Sequence, residues 1–198
     1  MHKILLALCA LATSLCACTT TSLPGFIHIP AAGVSVYLPQ SGWEHLTDET
    51  PITEGATFAQ YMDKNTQHTA VLSIKLEHPP RTTFADMNDF YNYMAESFKS
   101  QRKAVYPDMV LDVVPAYGKA KLCVMMHSSQ LTSDEKKAPG RTMTLEGYEL
   151  FCQHPYQPKL FVMMHYSERE IARPVPSRVR ERAEEIFANI RFEEKRVL

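Results

Sequence analysis

From residue 34 onward the chain switches between two hydrophobic rhythms, and the switches outline its elements. Val34, Val36 and Leu38 alternate with Ser35 and Tyr37 ahead of Pro39, the period-two pattern of a half-buried strand. Thr57 to Met62 and Thr69 to Glu77 have the same character on either side of Asp63-Lys64-Asn65, a turn signal, and read as a hairpin. The rhythm then becomes one of threes and fours. Phe84, Met87, Tyr91, Met94 and Phe98 mark one face of a helix opened by Thr83 and ended by Pro107. Four strand-like runs follow, at Met109 to Tyr117, Lys121 to Leu131, Met143 to Cys152 and Lys159 to Ser167. Gly118, Pro139-Gly140, Pro155 and Pro158 punctuate them, and short connections favour antiparallel pairing of neighbours. A last helix starts near Pro176 and Ser177, with Val179, Ala183, Ile186, Phe187 and Ile190 as its buried stripe. Arg178, Arg180, Arg182, Glu184 and Glu185 are left to face water, and Ile190 to Phe192 reads as a closing strand. The pattern predicts an α+β domain: an antiparallel sheet of about six to seven strands with helices packed on it.

The first eighteen residues, MHKILLALCALATSLCAC, follow another logic. A lysine, an apolar run from Ile4 to Leu15 and small residues before a cysteine have the layout of a secretory signal. The run falls short of the roughly 20 apolar residues that cross a bilayer. Leu15-Cys16-Ala17-Cys18 resembles the bacterial lipobox, which implies lipid attachment at Cys18; plain secretion is the alternative. Thr19 in place of an aspartate implies, for a diderm source, an outer-membrane anchor facing the periplasm. The expected organisation is a signal peptide over 1–17, a lipid anchor and tether over 18–32, and one α+β domain over 33–198.

Charge and cysteine content narrow the setting. Lysine and arginine total 21 against 22 aspartates and glutamates, so the chain offers no basic field for nucleic acid. In an exported chain Cys123 and Cys152 are a pairable set, and a disulfide between their strands is the expectation; two buried free thiols are the alternative.

Leu38-Pro39-Gln40-Ser41-Gly42-Trp43 and the ending Ala183 to Phe192 together resemble domains of the PsbP and Mog-type fold group, over roughly 33–194. The resemblance implies a PsbP/Mog-like sandwich and a non-enzymatic binding subunit, since members of that group include photosystem extrinsic proteins and Ran-binding proteins. It implies no catalytic residues and no cofactor.

One repeat raises a question of chemistry. Val-Met-Met-His occurs at Val124 to His127 and again at Val162 to His165. Methionine and imidazole suit reduced copper, so Met125, His127, Met163 and His165 form a candidate metal set. Core packing by two similar strands is the competing reading, because strands two apart in a meander lie roughly 9.6 Å from each other. His28, His45, His68, His78 and His154 are scattered without zinc-site spacing, and no Gly-x-Ser-x-Gly elbow occurs. Two charged stretches, Glu168 to Pro176 and Thr132 to Arg141, read as loops that are either solvated linkers or contact surfaces. The functional expectation is a lipid-anchored, non-catalytic envelope protein that binds or helps assemble another envelope component. The alternative is periplasmic small-ligand or copper binding.

Overall fold

The computed structural model describes residues 25–39, 41–46, 55–63, 68–101, 109–133, 140, 142–171 and 178–194. Its elements run β1 (Gly25–Ile29), β2 (Val34–Leu38), β3 (Glu44–His45), β4 (Gly55–Asp63), β5 (His68–Glu77), α1 (Met87–Gln101), β6 (Val110–Val113), β7 (Cys123–Ser133), β8 (Thr142–Gln153), β9 (Phe161–Ile171), α2 (Val179–Ala188) and β10 (Arg191–Phe192). Seven strands form the central antiparallel sheet in the order β3-β4-β5-β9-β8-β7-β6, and β1-β2-β10 form a second sheet.

This corrects the α+β, PsbP/Mog-like sandwich. Among the described residues 52% lie in strands and 20% in helices, spread over two sheets, so the protein is mostly β. Two features hid the extra strand content. The central strands β7, β8 and β9 are 11, 12 and 11 residues long, and β9 is buried on both faces, so it shows no clean alternation to mark its length. The second sheet begins in the stretch expected to be tether. Phe26 lies opposite Tyr37 and Ile29 opposite Val34, while Ile29 and Ala32 are fully buried. A single turn of 3-10 helix, Pro30–Ala32, ends at Gly33 with φ of 56°, a left-handed conformation that glycine adopts without cost, and the chain reverses there into β2.

The first helix starts later than Thr83. Asp86 accepts a hydrogen bond from the Asp89 amide at 2.9 Å and so caps the helix that begins at Met87. The strand expected over Met109 to Tyr117 is confined to Val110–Val113.

The central sheet has a core on each face. On one, α2 and the second sheet bury Val34, Val36, Leu72, Ile74, Met164, Tyr166, Ile186 and Phe187 together. On the other, α1 sets Phe90, Met94 and Phe98 against Val124, Met126, Phe151, Phe161 and Met163. His154, fully buried, latches the two sheets. Its Nδ1 accepts the amides of Tyr156 and Gln157 at 3.2 and 3.1 Å, its Nε2 faces the Gly33 carbonyl at 3.4 Å, and its ring meets Phe192 edge-on. Burial holds its pKa below the usual histidine value, in keeping with a neutral ring that accepts at one nitrogen and donates at the other.

Candidate binding site

The two Val-Met-Met-His segments flank β8 and run in the same direction, as a meander requires, but they are out of step. Cys123 lies opposite Cys152, and Cys152 opposite Val162, so Val124 of the first repeat is level with Met163 of the second. An offset of one residue turns every side chain to the other face of a sheet. Met125 accordingly packs on the α2 side, where His127 stacks on Tyr148 with ring centres 4.6 Å apart. Met163 packs on the α1 side, and His165 pairs there with Glu149. The four residues lie on opposite faces and do not converge on one point. Among the described residues no three His, Cys, Asp or Glu side chains group to hold a metal.

Cys123 and Cys152 are joined in a disulfide, across directly paired positions with Cα atoms 4.2 Å apart. That spacing is the close one of an antiparallel ladder, between the hydrogen-bonded pairs. Cys18 lies outside the described residues, as do 134–139, 141 and 172–177 of the charged stretches.

Glu168 to Glu170, read from sequence as loop, belong to β9. Glu168 is fully buried, and its two oxygens accept four hydrogen bonds of 2.6 Å: two from Arg182, one from the Tyr166 hydroxyl and one shared with His68 Nε2. Burial pushes this carboxyl up, but the bonds from His68, Arg182 and Tyr166 more than reverse that and hold it down at about 2. Burial, then the charge of Glu168, raises the Tyr166 hydroxyl. Arg182, expected to face water, is thus the bolt between α2 and the sheet. The carboxylate's lone pairs are all used, so the cluster serves cohesion. A looser polar group lies beyond it: Tyr148 donates to Glu146 at 2.9 Å, and His127 Nε2 is 3.3 Å from the same oxygen without the angle for a hydrogen bond.

The α1 face is closed less completely. Between α1 and the sheet lies a cleft of about 210 Å³. Phe151, Phe161 and Met163 form its floor; Tyr93, Met94, Ser97 and Phe98 form the helix wall; Glu77, His78, Pro79 and Pro80 form the outer wall. A second, more open hollow of about 530 Å³ shares Pro80, Tyr93 and Ser97 with it and adds Glu96 and Ser100. The floor continues along the strands as a polar strip. One step beyond the Phe151–Met163 pair, about 6.8 Å along the strands, Glu149 faces His165, and Glu149 Oε1 is 3.2 Å from His165 Nδ1. Another step on, Gly147 leaves the strip clear. A side chain there would begin 3.2 Å from His165 Cε1 and 3.5 Å from Ser128 Oγ. Polar and apolar groups therefore adjoin on one floor, as a binding site for a partly apolar molecule requires.

No protein-family model and no curated protein sequence matches this chain.

Sequence reasoning reached Met163 and His165 but assigned them partners on the wrong face. It missed Glu149, Glu77 and the aromatic floor. The signal available was the Phe-x-Met spacing of Phe161 and Met163, which share the face with His165 under period two.

Proposed function

We propose that the chain is an exported, lipid-anchored envelope protein of non-catalytic type, whose folded body binds a partly apolar component of the envelope. The disulfide is the observation that carries the location. A bond between the neighbouring strands β7 and β8 suits an oxidising compartment, and MHKILLALCALATSLCAC is the kind of leader that delivers a chain there. The cleft under α1, with a buried aromatic floor and a carboxylate at its mouth, supports the binding role. Acyl chains on Cys18 hold such a body at a membrane surface, because each buried methylene is worth about 0.8 kcal/mol. Among the described residues no helix is long and apolar enough to cross a membrane.

Intact-mass analysis of the mature protein tests the reading. The expected result is a chain beginning at Cys18 with acyl chains attached, and a Cys18→Ala variant that leaves the membrane fraction. A mature protein with a free thiol at position 18 refutes lipid anchoring.

A further inference from the structure

The geometry points to a ligand class for the cleft under α1: a small amphiphilic cation, an arylalkyl or alkyl amine. Its apolar body lies against Phe151, Phe161 and Met163, and its ammonium group sits at the mouth near Glu77 and Glu96. This deepens the binding role proposed above and rests on it for the site alone.

Size comes first. An apolar cavity of about 150 Å³ accommodates benzene, and this cleft, at about 210 Å³, has room for one ring and a short side chain. The surface that ring would meet is apolar and already desolvated, since Phe151, Phe161 and Met163 are each less than 8% exposed. Aromatic faces also favour a cation over an anion, because the ring quadrupole presents its negative side.

Charge at the mouth agrees. Glu77 and Glu96 line the two hollows, and neither forms an ion pair or a side-chain hydrogen bond among the described residues. Among the described residues, no lysine or arginine lines either hollow. Arg81, next in the chain after Pro80, lies over the rings of Phe84 and Tyr93, 4.9 and 6.0 Å from their centres, with its charge met by Asp89 and its Nε donating to the Thr83 carbonyl. His78 is the basic group in the lining among the described residues. An anionic ligand would meet two carboxylates at the mouth, whereas an ammonium group meets the partners they lack.

Calorimetry on the full chain in nonionic detergent tests the proposal with phenethylamine as probe and phenylacetate as its charge-reversed match. Saturable amine binding is expected, at least about tenfold tighter than phenylacetate. Ser97→Trp fills the cleft from the half-buried helix wall and should abolish binding. The surface double variant Glu77→Gln with Glu96→Gln should bring the amine close to the affinity of phenylacetate, and it reads the charge effect even if the tryptophan disturbs the helix. No saturation by about 10 mM amine, equal affinity for phenylacetate, or full affinity in the double glutamine variant overturns the inference. Lipid on Cys18 is read separately by mass, so a lipidated protein that ignores the amine refutes this inference alone.

Discussion

The two faces of the central sheet are closed by different chemistry. On the α2 side a buried carboxylate, Glu168, is saturated by Arg182, Tyr166 and His68, and a second sheet is laid over the remaining apolar surface. On the α1 side one helix of 15 residues covers part of the sheet with aromatic rings and methionines, and leaves a cleft beside them. A saturated charged cluster gives one fixed geometry, since every alternative arrangement leaves a buried charge unpaired. Methionine and phenylalanine contacts carry no such penalty for rearrangement and adapt to an occupant. One face is built for cohesion and the other retains room for a ligand.

The sharpest way to break this contrast is Glu168→Ala. It leaves Arg182 and the buried His68 without their anion, and should cost about 3–5 kcal/mol in denaturant unfolding; a loss below about 1 kcal/mol would show that the cluster is dispensable. Replacing Cys123 and Cys152 together by alanine should cost about 3–4 kcal/mol, given the 29-residue separation that the bond closes. That loss should appear in the same measurement and leave the far-ultraviolet circular dichroism of the native state unchanged.

Acid provides the next test. Glu168 is held down at about 2, below the ordinary glutamate value of 4.5, so its ionised form is the one the fold stabilises. The stability it contributes, about 3 kcal/mol, is fully present above pH 4.5 and is lost as pH falls through the folded value near 2. Glu168→Gln should flatten the fall in unfolding free energy over that window, and an unchanged slope would assign acid sensitivity elsewhere.

A matched pair of truncations has the smallest effect and compares the faces directly. Met164→Ala, in the fully buried α2-side core, should cost about 4 kcal/mol, and Met94→Ala, on the wall of the cleft, about 2 kcal/mol. The site beside the cleft already has missing neighbours on one side, so fewer contacts are lost there. Equal costs would mean that the α1 face is packed as tightly as the other.

Much of the fold was legible locally. The β4–β5 hairpin, the α1 stripe of Met87, Tyr91, Met94 and Phe98, and the α2 stripe of Val179, Ala183, Ile186 and Phe187 all follow from periodicity, because that signal comes from residues within one element. Strand ends were less legible. Glu168 to Glu170 looked like loop because the charge of Glu168 is balanced by Arg182 of α2, more than ten residues on, and nothing beside it in the chain shows this. Gly25–Ile29 looked like tether because a five-residue strand with one buried end has little pattern to display. The cleft was hidden for another reason: its walls come from α1, the Glu77–Pro80 segment and two central strands, which no spacing rule connects.

By itself the sequence determined which residues share a face within each strand and helix, and it presented Cys123 and Cys152 as a pairable set. Only the tertiary structure decided that the two Val-Met-Met-His strands lie one residue out of step. Periodicity orders side chains within an element, whereas the register between strands is set by packing across the whole sheet. A single-residue offset there separated Met125 and His127 from Met163 and His165 and placed the second pair on the face that carries the cleft.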